Sequence, residues 1–374
     1  MGLSNILETI RERASLDKDL VRSDGESEED FVFREYKVAI RSKVLFLAAF
    51  AVLFVILVGY KITLGEYDIS MGRVYETIWE HITGNITNPI DDNVVIKQRM
   101  PRVLTAVFVG IGLAAAGSAM QSMMKNPLAD PYTTGISSGA LFGATLAMTM
   151  GIYIIDGFYG RVLNAFAFAM VPAIFITLLS RWKKPSPAMM ILVGIAIMYI
   201  FNAFQSYMML SADPNSASTV YTWSVGSIGM TTWDTLPIVA AVSLIGFVAL
   251  MLLTRILNAL NSGDAYAKSL GINVDQIRIL CLLIISVIAA GIVSFTGIIG
   301  FVGLVSPHIA RIFVGSDNRI LLPASALFGA CMMLICDIVG FLLIGATMQI
   351  GIVTAMIGGP IFMLILLVQQ KEVW

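Results

Sequence analysis

The feature that most constrains this 374-residue chain is a succession of apolar runs, at 44–58, 102–124, 135–152, 161–180, 188–210, 235–254, 279–297, 298–314, 320–345 and 348–369. Most are close to the roughly 20 residues that a helix needs to cross the hydrocarbon core of a bilayer. In that core each backbone N–H and C=O must be satisfied within the segment, which a helix achieves. The expected fold is therefore all-α, a polytopic membrane protein of about ten transmembrane helices. Composition agrees: 57% of residues are hydrophobic and 13% charged, against about a quarter charged in ordinary soluble domains.

Residues 1–43 read as a cytoplasmic N-terminal extension, partly disordered, with the acidic stretch Asp24-Gly-Glu-Ser-Glu-Glu-Asp30, and residues 44–370 as the transmembrane domain. The first 30 residues lack the apolar centre of a signal peptide. Arg34, Lys37, Arg41 and Lys43 precede the first span and place that end in the cytoplasm by the positive-inside rule. Ten spans then bring Arg181, Lys183, Lys184, Arg255, Lys268, Arg278, Arg311, Arg319 and Lys371 to the same side, with both termini cytoplasmic. Lys97, Arg99 and Arg102 are left outside, a cluster that runs against the charge bias.

Between the second and third runs, Pro127 and Pro131 stop one helix and Gly135 opens the next, the third run continuing through Ser138, Gly139 and Gly143. Such a stretch is a tight interhelical turn or a place where another helix comes close to backbone. Ala140-Leu-Phe-Gly-Ala144 recurs as Ala326-Leu-Phe-Gly-Ala330, and Asn126-Pro127 is echoed by Ser306-Pro307. With five spans in each half, this suggests an inverted internal repeat, which makes Pro307 a second structural corner beside Pro127, Pro131 and Gly135.

No phosphate-binding G-x-x-x-x-G-K-[ST] occurs, and nothing resembles a nucleophile with its base, so the chain does not read as an enzyme. Its two histidines, His81 and His308, have no carboxylate or cysteine at ligand spacing, and no metal site is expected. A net charge of −1 argues against nucleic acid. Cys281, Cys331 and Cys336 lie in apolar runs and read as small core residues. Asp337 is the intramembrane charge most suggestive of function, although a structural hydrogen bond explains it as well, since no intramembrane basic partner is evident in sequence. Residues 256–278 form a long cytoplasmic loop in which Ser262 to Leu270 reads as a short helix closed by Gly271.

Arg99-Met-Pro-Arg102 through Gly143, the loop from Gly263 to Gly271, and Gly300-Phe-Val-Gly-Leu-Val-Ser-Pro-His-Ile-Ala-Arg311 through Gly358-Gly-Pro360 together resemble FecCD-type permeases. These are subunits of binding-protein-dependent ABC importers for iron chelates, haem and cobalamin. The resemblance covers about residues 45–370. It implies a homodimer in a prokaryotic plasma membrane, with two cytoplasmic ATPase subunits and an extracytoplasmic solute-binding protein. ATP and Mg would reside in the ATPase subunits, and this chain would bind no cofactor.

Carried onto this sequence, the resemblance makes Arg99 and Arg102 the external arginines that receive binding-protein carboxylates. It makes Gly263, Asp264, Ala265, Ala267, Leu270 and Gly271 the element that couples to the ATPase. The translocation path is expected along the fifth span at Asn202, Gln205, Ser206, Tyr207, Met208 and Met209, where polar and soft groups suit a bulky amphipathic solute. Iron-siderophore is the expected cargo, with cobalamin or haem as alternatives. Two departures fall near the external mouth: Phe341 stands where the family usually has Arg, and Thr347-Met348-Gln349 where it has Glu-Leu-Pro. Outside the family, an ion-coupled secondary transporter using Asp337, or a membrane receptor whose acidic N-terminal segment recruits a partner, would also fit a polytopic chain.

Overall fold

The computed structural model describes residues 28–345 and 348–369, and these are helical with no strand. In chain order the helices are α1 Glu28–Thr63, α2 Met71–Thr83, α3 Pro89–Met124, α4 Ile136–Met150, α5 Phe158–Leu179, α6 Pro187–Leu210 and α7 Pro214–Ser224. They continue as α8 Leu236–Leu252, α9 Thr254–Ser262, α10 Asp264–Ser269, α11 Val274–Thr296, α12 Val302–Val314, α13 Asn318–Ile344 and α14 Ile350–Gln369. Six are long and apolar enough to cross a membrane. The pair α8 and α9, bent by 58°, passes together, and α4, α12 and α14 are shorter apolar helices. Each expected apolar run lies on one of these elements.

The centre of the bundle is α3, packed against α13, α8, α12 and α11. Small residues make that possible. A side chain at Gly117 would overlap the backbone of Gly303 on α12, and one at Gly110 the backbone of Gly329 on α13. Without a strong hydrophobic drive between helices in lipid, close backbone approach supplies the packing energy.

Helix boundaries differ from the sequence reading at three places. Helix α1 begins at Glu28, so part of the expected N-terminal extension continues the first span, while residues 1–27 lie outside the described residues. Helix α3 begins at Pro89, well before position 102, and is wound as a π-helix over Asn93–Arg99. The charges there that resemble a loop find partners on α2: Arg73 Nε donates to Asp91 Oδ2 at 2.8 Å, and His81 Nδ1 lies 2.7 Å from Asp92 Oδ1. The fold thus gives His81 a carboxylate that sequence spacing does not. Third, Ser262 ends α9 instead of capping α10, and Gly263, at φ +129°, separates the two helices.

Two further elements have no counterpart in the apolar runs. Helix α2 is amphipathic, capped by Ser70 and closed by Gly84 at φ +73°. Helix α7 follows α6 but folds back into the bundle: Trp223 is buried with Ile136, Ala140, Ala165 and Val293. Just beyond α7, Ser227 N donates to Thr296 O at 2.6 Å.

The corner at 125–135 is a real turn, ending in a short 3-10 segment, Pro131–Thr134, with Gly135 at φ +89°. Pro307 is not its counterpart, because it lies inside α12 and the break in that region spans 297–301. Here the missing donor of proline is tolerated within a helix. The two Ala-Leu-Phe-Gly-Ala pentapeptides fall on α4 and α13, the third and ninth apolar helices, so the echo does not map corner onto corner.

Candidate functional site

At the end of the bundle where α1 finishes and α3 begins, three charges from three helices meet. Asp337 on α13 is almost completely buried; its Oδ1 accepts from Arg102 Nη2 at 2.5 Å and its Oδ2 lies 3.1 Å from Lys61 Nζ. Arg102 Nε is 3.1 Å from both carboxylate oxygens, completing a fork. Lys61 also sits 5.3 Å from the ring centroid of Phe341. The intramembrane carboxylate therefore has two basic partners, contrary to the sequence reading. They are 276 and 235 residues away. A buried carboxylate between two cations satisfies its charge in a low-dielectric interior.

Arg99 is also buried and does not touch Asp337. Its Nη1 donates to Ile62 O at 3.2 Å and Thr63 O at 2.8 Å, and its Nη2 to Tyr67 O, so it fastens the segment leaving α1. Both arginines expected at the surface are thus engaged within the chain. Arg102 keeps an edge open, its side chain 13% exposed and its Nη1 without a hydrogen-bond partner among the described residues. A cavity of about 350 Å³ opens here, lined by Lys61, Glu66, Gln98, Arg99, Arg102 and Phe341 among others. Of the second departure, Met348 and Gln349 are half-buried and Thr347 lies outside the described residues.

The other cluster lies beyond the far end of α3, about 35 Å from Arg102 along the helix at 1.5 Å per residue. Asp264, the first residue of α10, accepts from Lys125 Nζ at 2.7 Å and from Arg278 Nη2 at 3.1 Å. Arg278 is fully buried, and its Nη1 donates to Pro185 O, just before α6, at 2.9 Å. One carboxylate thereby joins the 125–135 corner, α10 and α11, and through Arg278 the start of α6. The Lys125 hydrogen bond, with Arg278 beside it, holds the Asp264 carboxyl below the usual carboxylate range. Ala265, Tyr266, Lys268 and Leu270 are exposed, whereas Ala267 packs inward with Leu260 and Val274. Ala267 thus supports α10 from beneath and presents no surface. Gly271, at φ +78°, closes the element.

On α6, Asn202, Ser206 and Tyr207 are exposed and Gln205 and Met209 half-buried, a polar strip on an otherwise apolar helix. Met208 turns into the bundle and is not part of it. Among the described residues no cluster of His, Cys, Asp and Glu could hold a metal ion, and the three cysteines are buried and free.

A bundle of apolar helices with charges gathered toward its two ends is that of a polytopic membrane protein. The description "FecCD transport family" matches residues 52–368, and the chain belongs to that family. The hemin transport system permease protein of Yersinia pestis is 35% identical over 331 residues, 88% of this chain and 97% of that one. The cobalamin import system permease protein of Halobacterium salinarum is 34% identical over 276 residues, 74% of this chain and 73% of that one. A solved structure described as an inward-facing metal-chelate type ABC transporter superposes with a TM-score of 0.76 at 30% identity, covering 86% of this chain and 98% of that one.

Proposed function

We propose that this chain is the permease subunit of a binding-protein-dependent ABC importer, working as a homodimer with two ATPase subunits and carrying an iron-siderophore chelate. Haem and cobalamin, which relatives' names specify, are equally compatible cargoes. The reading is supported above all by the family match through residues 52–368, which includes both charged clusters and the polar strip. In this account the Arg102 end faces outward and the Asp264 end faces the cytoplasm, with both termini cytoplasmic. Asn202, Gln205, Ser206 and Tyr207 line the passage between the two copies. ATP binding in the partner subunits displaces α10, and the Asp264 to Arg278 link carries that displacement to α11 and the start of α6.

The deciding experiment reconstitutes the chain with its ATPase and binding protein in vesicles and follows radiolabelled iron-siderophore, haem and cobalamin. Uptake that requires internal or external ATP at the ATPase side, and is indifferent to a proton gradient, is the expected outcome. Uptake driven by a proton gradient without ATP would reject the importer reading in favour of an ion-coupled carrier. For docking, Arg102→Lys keeps a cation beside Asp337 but removes the open guanidinium edge. Weaker binding-protein association, most marked at low salt, is expected. An unchanged dissociation constant at low salt would count against Arg102 as a docking residue.

A further inference from the structure

Helix α2 divides into three faces. Val74 and Thr77 are buried against the chain. Arg73 and Glu80 are hydrogen-bonded at 2.7 Å, Thr87 also donates to Glu80 at 2.8 Å, and Glu76 is exposed beside them. The remaining face carries Met71, Tyr75, Trp79 and Ile82, at spacings of four, four and three, and all four are exposed. Trp79 is 67% and Ile82 71% exposed. A helix between protein and water alone needs two faces. A helix with a third, apolar and aromatic, has a third solvent.

Where that face lies follows from Tyr75. Its hydroxyl sits directly over Gly59 on α1, so that a Cβ at Gly59 would be 2.6 Å away. Gly59 is one turn inside the end of the first membrane-crossing segment, Lys43–Thr63. The neighbouring surface of α1, Tyr60, Ile56, Val55 and Val52, is exposed in the same way and has the character of a lipid-facing strip. The apolar face of α2 therefore continues the lipid-facing surface of α1 at the depth of the headgroups. The connections to α1 and α3 are short, which keeps α2 at that level.

From this juxtaposition we infer that α2 is an interfacial anchor whose Met71, Tyr75, Trp79 and Ile82 face is covered by bilayer lipid at the Arg102 end of the bundle. Tyr and Trp at headgroup depth are what such a belt requires. Through Arg73 to Asp91 and His81 to Asp92 the anchor is fixed to the first turn of α3, which leads to Arg99 and Arg102.

The test uses the full chain in phosphatidylcholine vesicles and the difference in tryptophan fluorescence between the parent and Trp79→Phe. Lipids brominated near the carbonyl end of the acyl chain should remove more than half of the Trp79 signal, and aqueous iodide little of it. A tryptophan at 76, in Trp79→Phe/Glu76→Trp, should show the opposite preference. Quenching of Trp79 by iodide and not by brominated lipid would overturn the inference in favour of a water-exposed docking face. Quenching by neither would overturn it in favour of cover by a second copy of the chain.

Discussion

The two charged clusters have the same composition, one aspartate between two cations, and differ in the exposure of the aspartate and of one cation. Asp337 is 2% exposed, with Lys61 at 5% and Arg102 at 13%, whereas Asp264 is 40% exposed between Lys125 at 34% and Arg278 at 2%. The buried cluster pins α1, α3 and α13 where the bundle must hold its shape. The other joins a short helix to its neighbours through one pair open to water, Asp264 with Lys125, and one cation, Arg278, held in the interior. The same chemistry forms a closed lock at one end and a partly open joint at the other, and burial of the carboxylate is the variable that separates them.

The largest effect is expected at the lock. Asp337→Ala leaves Lys61 and Arg102 buried without a counter-charge and should lower unfolding stability by about 3–5 kcal/mol, read as a large fall in melting temperature in lipid. Replacing all three, as Lys61→Met/Arg102→Met/Asp337→Leu, should restore most of that loss, because well-packed apolar groups of similar volume often substitute for a buried ion network. A triple variant as unstable as Asp337→Ala would show that the charges are needed for more than their mutual neutralisation.

At the joint the stability effect should be smaller. Asp264→Asn leaves Lys125 to water, where an exposed pair contributes only about 0–1 kcal/mol, while the buried Arg278 loses its carboxylate but keeps the Pro185 carbonyl. The melting temperature should therefore fall by clearly less than in Asp337→Ala, where two buried cations lose their shared carboxylate. A fall as large as that of Asp337→Ala would erase the distinction between the two ends. Salt sharpens the comparison further. Screening acts strongly on exposed pairs and weakly on buried ones. Raising ionic strength should accelerate amide exchange in α10 while leaving the middle of α13 unchanged, and equal acceleration in both would contradict the account.

The smallest effect concerns pH. The folded-state pKa of Asp264 is depressed, so its contribution is present above the unfolded carboxylate value and is lost only as pH falls through the lower folded value. Exchange protection of α10 should hold from neutral pH through 5 and weaken below the ordinary carboxylate range. Weakening already at pH 6 would mean that Lys125 and Arg278 do not hold the proton off.

Much of this architecture is legible in the chain itself, for reasons specific to each element. The apolar runs from 102 to 369 are visible because lipid demands length and hydropathy, which are local properties. The start of α3 at Pro89 is hidden because Asp91, Asp92 and Arg99 look like loop residues until α2 and the α1 carbonyls supply their partners. Helix α7 is hidden because its burial against α4, α5 and α11 is a tertiary event with no apolar run to announce it. Asp337 stands out in sequence, yet its partners do not, since Lys61 and Arg102 sit at span ends hundreds of residues away. Asp264 is legible as part of the polar segment between two apolar runs. Its attachment to Lys125, Arg278 and the start of α6 is not.

The most direct test of the joint is ATP hydrolysis by the chain reconstituted with its proposed ATPase and binding protein and carrying Asp264→Asn, with assembly verified and the melting temperature measured on the same sample. The predicted result is an intact complex, less destabilised than one carrying Asp337→Ala, whose hydrolysis no longer rises when loaded binding protein is added. Stimulation equal to that of the parent would contradict it.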